Sequence, residues 1–391
     1  MASVTSQVTS SGSRIASLDL LRGIAILGTL GTNIWVFSAA GTPLDQAFFG
    51  NQLTVQSLFE VFANGKFLSL LAILGGVGVA IQYDSAQRKG QVWPGRYLWR
   101  STLLFLEGLL HFTILFEGDV LMGYAVAAVI TAFTLRRGER AVRWAIGVAG
   151  VLHLLFLALV IAGSGVLPTG NGEPEPLTIY AQLLLDGSYP EQVAFRISNA
   201  LVLRAEPLFA LPYTVFLFCA GAWLHQRGAF TLHESSRKLQ RTMLMWGLGL
   251  GLPLNLLILA PDVWPELGLY GETVIFFAVR YGFSAVLALG YAGLVLWLLR
   301  RNAHGWLYAR LMAVGRVALS TYVSQSVILS ILFYGWGLGL GSQLADWTIA
   351  LLFIALCIVQ IVVAELWIRT GGGPLERIRK RLEKLGQRVG E

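Results

Sequence analysis

Residues 345–369 read ADWTIALLFIALCIVQIVVAELWIR, a run whose charged residues stand near its two ends. At 1.5 Å per residue, a helix of this length covers the roughly 30 Å hydrocarbon core of a bilayer. Similar apolar runs recur along the whole chain, and each predicts a membrane-spanning helix. The ten predicted spans are residues 18–40, 59–81, 97–116, 119–136, 141–163, 208–226, 240–260, 272–298, 308–334 and 345–369.

The composition supports the same fold class. Of the 391 residues, 55% are hydrophobic and only 13% are charged, whereas about a quarter of the residues in a soluble domain are charged. We therefore predict an all-α, polytopic membrane protein whose helices form one bundle. The run at 20–40 exceeds the roughly 7–15-residue core of a signal peptide and contains Asn33, so we interpret it as a retained first helix.

Basic residues alternate with acidic ones from loop to loop, which predicts the orientation. The loops at 82–100, 136–143, 227–241 and 300–310 are basic, whereas 164–206 and 261–272 are acidic. Cytoplasmic loops of membrane proteins carry the excess of Lys and Arg, so both termini are expected in the cytoplasm, with the protein in the plasma (inner) membrane. This distribution also accounts for the net charge of +7 without a nucleic-acid partner.

The same pattern divides the chain into four parts. We expect a disordered tail at 1–16, an N-terminal membrane half at 17–206, a C-terminal membrane half at 207–371 and a basic amphipathic tail at 372–391. Within the acidic loop, Leu177–Gly187 predicts a short amphipathic helix on the outer surface.

Polar side chains inside the predicted spans are the functional candidates, because burying them in a bilayer is costly. They fall at two depths. The set toward the outer side is Asn33, Lys66, Glu107, His111, Glu117, Asp119, Tyr124 and Arg280. The set toward the inner side is Asp19, Arg22, Arg316 and Glu365, with Ser320 and Tyr322 nearer the middle.

His111 carries the clearest chemistry among these residues. Glu107 precedes it by four positions, so the two side chains share one helix face. A carboxylate there can orient the imidazole and raise its basicity, which predicts a general base or a nucleophile. A structural hydrogen bond between helices is the alternative. Asp119 begins the fourth span, where a functional role and simple capping of the helix are equally open.

The remaining motifs exclude several classes of site. The five histidines are too scattered to predict a metal site. The chain contains neither a G-x-S-x-G elbow nor an HExxH motif. Arg316 lies about eight residues inside its span, and a buried guanidinium needs a carboxylate or phosphate partner.

Six motifs follow one another along nearly the whole chain. They are Leu18-Asp19-x-x-Arg22-Gly23 with Asn33-Ile34; Gly65-Lys66-Phe67-Leu68; Gly108-x-x-His111 with Gly118-Asp119-x-Leu121-x-x-Tyr124; Arg280 ten residues before Gly290-Tyr291; Gly315-Arg316-x-Ala318-Leu319-Ser320-x-Tyr322-x-x-Gln325; and Gly373-Pro374-Leu375-Glu376. In this order they resemble the motifs of the YeiB family, whose C-terminal half is a domain of unknown function. Glu107 lies outside the family pattern.

The YeiB family is in turn similar to the transmembrane acyltransferases. Those proteins move an acyl group from cytoplasmic acyl-CoA to a sugar or similar acceptor across the membrane, using a histidine. The resemblance implies that acyl-CoA, with acetyl-CoA as the expected form, is a co-substrate. His111 is then the expected base or acyl carrier, with Asp119 and Glu107 as the other catalytic candidates.

Two further groups of residues are expected to bind the two substrates. The group for acyl-CoA is Arg22, Arg316, Ser320, Tyr322 and Gln325, and the group for the acceptor is Asn33, Lys66, Tyr124 and Arg280. Besides membrane lipids, the expected partner is a small-molecule, glycan or lipid acceptor, with a homodimer left open. In the alternative function, a transporter or exporter, the same buried polar residues line a substrate or proton path. A non-catalytic scaffold explains the buried charges least well.

Overall fold

The structure, a computed structural model, describes residues 2–42, 54–164, 176–301 and 305–388. Every regular element within these ranges is helical, as expected for apolar segments that must satisfy their own backbone hydrogen bonds. The N-terminal half contains α1 (Ala2–Ser38), α2 (Val55–Phe62), α3 (Lys66–Arg88), α4 (Arg96–Ile114), α5 (Leu121–Arg136), α6 (Glu139–Ser164), α7 (Pro176–Asp186), α8 (Tyr189–Ser198), α9 (Ala200–Leu203) and α10 (Ala205–Phe209).

The C-terminal half continues the helical bundle. Its helices are α11 (Leu211–Gln226), α12 (Arg237–Gly249), α13 (Gly251–Leu256), α14 (Ala260–Val263), α15 (Gly268–Ala278), α16 (Ser284–Arg301), α17 (Trp306–Arg316), α18 (Ala318–Phe333), α19 (Asp346–Arg369) and α20 (Pro374–Arg388). Short 3₁₀ turns occur at Glu234–Ser236, Leu257–Leu259 and Pro265–Leu267, and a π-helical turn at Val279–Phe283 joins α15 to α16.

The all-α, polytopic fold class is confirmed, and each of the ten predicted spans coincides with one or more helices. The count of ten spans is not confirmed. Within the described ranges, six helices are long and apolar enough to cross a membrane, or seven if one bent pair counts as a span. The six are Ala16–Ser38, Val55–Arg88, Glu139–Gly163, Glu234–Val263, Tyr270–Arg301 and Asp346–Arg369.

The other three predicted spans correspond to α4, α5 and α11, and each has a physical reason to fall short. Helix α4 carries Arg96, Arg100 and Glu107. Helices α5 and α11 have 16 residues each, which gives a length of about 24 Å, less than the hydrocarbon core. The orientation of the termini stays a prediction.

The expected division of the chain into four parts stays a prediction. Helix α1 begins at Ala2. Helices on the two sides of position 206/207 contact one another, because α3 packs on α11 and α1 packs on α17. Helix α7 matches the predicted amphipathic helix closely.

Helix α1 lies at the centre of the bundle and α6 at its periphery. The buried share is 78% for the span in α1 but 11% for the span in α6. Gly23 and Gly315 permit the close contact of α1 with α17, since a Cβ on Gly23 would lie 1.9 Å from the Leu311 carbonyl oxygen. Close approach through small residues is common in membrane bundles.

The chain bends sharply between α17 and α18. The two helices meet at Val317 and form an angle of 83°. This bend frees the backbone N–H groups at the start of α18, which need acceptors. The carboxylate of Glu376 accepts hydrogen bonds from Leu319 N at 2.9 Å and Ser320 N at 3.1 Å. The start of α20 therefore caps α18 and stabilises the bend.

Candidate active site

His111 and Asp119 meet across the hairpin between α4 and α5. His111 lies in the last turn of α4, and Asp119 lies in the connection that leads to α5. The distance from His111 Nδ1 to Asp119 Oδ1 is 3.0 Å. The other carboxylate oxygen, Oδ2, accepts the backbone N–H of Met122 at 3.1 Å. Asp119 therefore both caps the first turn of α5 and orients the imidazole.

Ser326 of α18 occupies the other side of the imidazole. Its Oγ lies 2.9 Å from His111 Nε2, and all three side chains are at most 3% exposed. A carboxylate can only accept, so Nδ1 carries a proton, and in the neutral imidazole Nε2 then accepts the hydroxyl proton of Ser326. The result is a continuous line from carboxylate to imidazole to hydroxyl, which is the arrangement of groups in a serine–histidine–aspartate triad.

Two residues support the position of Asp119. Arg204 Nη1 donates to the Asp119 backbone oxygen at 2.7 Å and to that of Glu117 at 3.3 Å, with its guanidinium 5.3 Å from the centre of the Phe112 ring. Gly108 permits the close approach of α4 to the start of α5, because a Cβ there would lie 2.8 Å from Asp119 Oδ2. Arg204 thus fixes the backbone at Asp119 from outside the hairpin, and Gly108 lets α4 approach the carboxylate.

Glu107 does not orient His111, which corrects the expectation from helix spacing. Its Oε2 lies 3.5 Å from Arg379 Nη1 on α20, whereas the imidazole nitrogens contact Asp119 and Ser326. Residues four apart on a helix are neighbours, but the chain reversal after α4 brings a second carboxylate closer to the ring. Glu107 instead links α4 to the C-terminal helix.

A second polar cluster surrounds Lys66 and Arg280. Lys66 is fully buried in the first turn of α3, and its Nζ donates to the Glu60 backbone oxygen at 2.6 Å. Arg280 donates to Glu206 Oε1 through Nε at 3.2 Å and Nη2 at 2.9 Å, and also to the Asn64 side chain. Asn64 in turn donates to the Glu60 carboxylate. The cluster therefore balances two cations with two carboxylates.

Glu206 is the solvent-facing edge of this cluster, with half of its side chain exposed. Burial of its carboxyl would raise the pKa, but Arg280 and the Tyr281 hydroxyl outweigh that effect and lower the pKa of Glu206 below its usual value. Arg280 and Tyr281 lie in the π-helical turn between α15 and α16. Such turns are frequent at functional sites because they re-aim side chains.

Arg22 and Arg316 share one carboxylate partner. Arg22 Nη1 lies 3.3 Å from Asp19 Oδ1, and Arg316 Nε lies 3.3 Å from Asp19 Oδ2. The guanidinium of Arg316 therefore has the acidic partner that a membrane location demands, and half of its side chain is exposed. The three residues join the start of the span in α1 to the end of α17.

The other residues expected to bind acyl-CoA lie along α18. The Ser320 hydroxyl donates to the Glu376 carboxylate and accepts the Leu375 N–H at 3.0 Å. The Tyr322 ring lies 5.0 Å from the imidazole of His111, between ring centres. Gln325 Nε2 donates to the Ile26 backbone oxygen of α1 at 3.3 Å. Of these, Tyr322 alone touches the His111 line.

Tyr124 and Asn33, both expected near the acceptor, are buried within the bundle. The Tyr124 hydroxyl donates to the Leu68 backbone oxygen at 2.8 Å. Asn33 is 7% exposed in α1. Of the four acceptor-binding candidates, Lys66 and Arg280 thus belong to one hydrogen-bonded cluster, while Tyr124 joins α5 to α3.

A cavity of about 300 Å³ lies at the opposite end of α4 from His111. It is an open cavity lined by α3, α4 and α20. Leu104, on its wall, is seven residues from His111, or about 10.5 Å along the helix axis. The lining side chains are Gln82, Tyr97, Arg100, Ser101, Leu104, Glu376, Arg379, Lys380 and Glu383. Because Glu376 also caps α18, the cavity lies below both helices that carry the His111–Ser326 contact.

Sequence reasoning missed Ser326, Arg204 and Glu60. A signal for Ser326 was present, because it is four residues after Tyr322 and so shares its helix face. The partners of Arg204 and Glu60 lie on other elements, which spacing does not reveal. Within the described ranges, no group of three or more His, Cys, Asp or Glu residues could hold a metal ion.

Comparison with known proteins gives consistent matches along the chain. Residues 224–385 match the family described as "Protein of unknown function (DUF418)". The chain is 28% identical to the uncharacterized protein YxaH of Bacillus subtilis over 95% of its length and 94% of that protein. It is 26% identical to the uncharacterized protein YeiB of Escherichia coli over 94% of its length and 96% of that protein. These matches support the assignment of the chain to the YeiB family.

The matched regions together include all three residues of the Asp119–His111–Ser326 line. The DUF418 match contains Ser326 and the capping residue Glu376, whereas His111 and Asp119 lie in the N-terminal part that the whole-length relatives cover. A further relative, described as an uncharacterized 39.9 kDa protein in the amylase 3' region of Bacillus acidopullulyticus, is 25% identical over 93% of this chain and 92% of its own. The site of this YeiB-family protein is thus assembled from both halves of the family fold.

Proposed function

We propose that this protein is a transmembrane acyltransferase that moves an acyl group from cytoplasmic acyl-CoA to an acceptor at the outer side of the membrane. The observation that carries the proposal is the buried line Asp119–His111–Ser326, with contacts of 3.0 and 2.9 Å. Acyl transfer requires a base that removes a proton from the attacking group and returns it to the leaving group. An imidazole fixed by a carboxylate is that base.

His111 would serve as the base in a specific protonation state. Asp119 holds the proton on Nδ1, so the lone pair of Nε2 is available for proton transfer. When Nε2 takes up a proton, the adjacent carboxylate stabilises the imidazolium that forms. Burial of the line excludes water, which would otherwise hydrolyse the thioester.

The acyl donor would approach through the cavity at the start of α4. Arg100, Arg379 and Lys380 provide positive charge at its wall, suited to the phosphates of acyl-CoA. The thin pantetheine arm would then extend along α4 and α18 toward His111. We expected Arg22 and Arg316 to bind these phosphates, and both are paired with Asp19. In the cavity, Arg100 and Arg379 are likewise paired with acidic side chains, so the candidacy of the cavity rests on Lys380, which is exposed on its wall.

The acceptor would approach from the side of the Lys66–Arg280 cluster. Its cations are bonded to Glu60, Asn64 and Glu206, so the cluster forms a preformed polar wall rather than a pair of free charges. The half-exposed Glu206 carboxylate would accept hydrogen bonds from a hydroxyl- or amine-bearing acceptor.

A transporter is the second candidate, and the bend between α17 and α18 favours it. Discontinuous helices commonly form substrate sites in transporters, and this pair bends by 83°. The exposed helix end at Val317 is, however, occupied by the Glu376 carboxylate. Uptake or efflux that is coupled to a proton gradient and consumes no acyl-CoA would favour this function.

The test is free-thiol release from acetyl-CoA by the protein in proteoliposomes. We expect His111→Ala to lower the rate by at least about 100-fold, since general-base catalysis contributes 10²–10⁴-fold. His153→Ala is the matched control, because His153 is also a buried helical histidine, bonded to the Tyr281 backbone oxygen. Undiminished release by a correctly folded His111→Ala variant would rule out His111 as the base.

A further inference from the structure

Ser326 differs from three other hydroxyl-bearing residues of α18. Thr321, Ser324 and Ser330 each donate to a backbone oxygen three or four residues earlier, at 2.9–3.0 Å. This is the usual way for Ser and Thr to satisfy their hydroxyls in an apolar helix. The Ser326 hydroxyl instead contacts Nε2 of His111 at 2.9 Å. Its position is set by the imidazole rather than by its own helix.

The Ser326 hydroxyl also occupies Nε2 of His111, the nitrogen that is proposed to accept the proton during acyl transfer. For His111 to activate the acceptor directly, the acceptor would have to displace Ser326 from Nε2. A reaction that uses Ser326 needs no such displacement, because the hydroxyl is already within hydrogen-bonding distance of the base. A nucleophile within hydrogen-bonding distance of a base that a third group orients is the recurring signature of covalent catalysis.

We propose that Ser326 is the nucleophile and carries the acyl group as an oxygen ester between the two substrates. This inference rests on the proposed acyl transfer and specifies its chemical route. Ser326 Oγ attacks the thioester carbonyl of acyl-CoA while His111 Nε2 takes the hydroxyl proton. The carbon–sulfur bond then breaks, and His111 returns the proton to the leaving thiolate, which gives free CoA and acyl-Ser326.

The second half of the reaction reverses the roles. The hydroxyl or amine of the acceptor attacks the ester carbonyl, with His111 removing its proton. The bond from the carbonyl carbon to Ser326 Oγ breaks, and the proton passes from His111 to Oγ, which restores the starting state. The two substrates thus react in turn at one serine, so a donor from one face and an acceptor from the other need never be bound together.

The position of Ser326 suits this sequence of steps. Helix α18 begins at the cavity, where Glu376 caps Leu319 and Ser320, and Ser326 lies six residues after Ser320, about 9 Å further along the axis. His111 lies at a similar distance from the cavity along α4, about 10.5 Å from Leu104. The acyl group therefore needs to travel about two helical turns from the cavity to Ser326.

The experiment is acid-quenched labelling of the full-length protein with [¹⁴C]acetyl-CoA in proteoliposomes, without an added acceptor. We expect up to one label per chain, in the peptide that contains Ser326. An oxygen ester resists neutral hydroxylamine but not alkaline hydroxylamine, whereas an acyl-imidazole or a thioester is cleaved at neutral pH. Ser326→Ala should lose the label and at least about 100-fold of the thiol release.

Ser330→Ala is the matched control, because Ser330 is a buried serine one turn further along α18. It should keep both label and turnover, and CoA binding and thermal unfolding of each variant verify that the fold is intact. Label on His111, or wild-type thiol release by folded Ser326→Ala, would overturn the role of Ser326 while leaving the acyltransferase proposal standing. Absence of His111-dependent thiol release in the wild type, even with hydroxyl- and amine-bearing acceptors added, would overturn both.

Discussion

Asp119, His111 and Ser326 form a line that ends in a hydroxyl, whereas Lys66 and Arg280 lie in a hydrogen-bonded cluster that contains two carboxylates. Both regions bury polar side chains among apolar helices, which costs free energy in each case. In the cluster, two cations are matched by two carboxylates, so the opposite charges offset the cost of burial. In the line, the last group is a neutral hydroxyl that can exchange a proton with its neighbour.

Buried charge alone therefore does not identify a reactive site. A fully paired cluster stabilises the contacts between helices, and its variants should lower stability. A carboxylate–imidazole–hydroxyl line is suited to proton transfer, and its variants should lower turnover while the fold persists. Substitutions in the two regions should therefore differ: those in the cluster should lower stability, and those in the line should lower turnover.

The largest effect is expected for Asp119→Asn. The asparagine can still accept the Met122 N–H, so the start of α5 is kept. Its amide no longer holds the proton on Nδ1, and the imidazole loses the tautomer that accepts the proton of Ser326. The equivalent change in a serine–histidine–aspartate triad costs about 10⁴-fold, and we expect a fall of about 10³-fold or more in thiol release from acetyl-CoA.

Glu107→Gln is the control for that change. It removes a carboxylate on the same helix as His111, four residues away, whose partner is Arg379 on α20. Turnover should change little, because the imidazole does not depend on this group. If Glu107→Gln matched Asp119→Asn in its effect on folded protein, the assignment of Asp119 as the orienting carboxylate would be wrong.

The second-largest effect is expected on the free energy of unfolding, when the Lys66–Arg280 cluster is disrupted. Arg280→Met leaves Glu206 and Asn64 without their guanidinium partner. Breaking a fully buried ion pair costs roughly 3–5 kcal/mol, and because half of Glu206 is exposed we expect about 2 kcal/mol, with a lower thermal unfolding midpoint. The double variant Arg280→Met, Glu206→Gln should lose less than the sum of the single losses.

Arg237→Met is the matched control for Arg280→Met. Arg237 pairs with Glu234, and both side chains are more than two-thirds exposed, so the change should leave the unfolding midpoint nearly unaltered. Thiol release from acetyl-CoA without an added acceptor should stay close to the wild-type value per folded molecule in Arg280→Met, because the cluster is proposed to contact the acceptor and not the donor. A loss as large as that of Asp119→Asn, without loss of stability, would place Arg280 in the reaction and remove the distinction between the two regions.

Hydropathy predicted the helical class and the positions of the helices, because a long apolar run leaves the backbone few alternatives. It did not predict where helices break. Val317 separates α17 from α18 although neither glycine nor proline occupies that position. The break is capped by Glu376, 57 residues after Leu319, and a partner so distant in the chain leaves no local signal.

The candidate site was predictable to a similar extent. His111 was recognisable as a buried titratable group, but helix spacing favoured Glu107 as its partner over Asp119, since the spacing rule describes one helix and not the hairpin after it. Ser326 was missed because a serine in an apolar helix normally bonds to its own backbone. Its role depends on the packing of α18 against α4, which only the tertiary structure reveals.

The smallest effect tests where the acyl donor meets the site. Lys380 is exposed on α20 and lines the cavity below His111 and Ser326. If the cavity binds the phosphates of acetyl-CoA, Lys380→Gln should raise KM about 5–10-fold, equivalent to the loss of one charge-assisted contact of about 1–1.4 kcal/mol, with kcat unchanged. Acetyl-pantetheine has no nucleotide phosphates, so its KM should not change.

Arg377→Gln removes the same charge from an exposed position of α20 that does not line the cavity. It should leave both KM values as they are, which separates a local phosphate contact from the general attraction between a basic helix and an anionic substrate. Equal rises in KM for Lys380→Gln and Arg377→Gln would point to that general attraction. The donor would then need another route to His111, and the exposed side of Arg316 at the bend would be the next site to test.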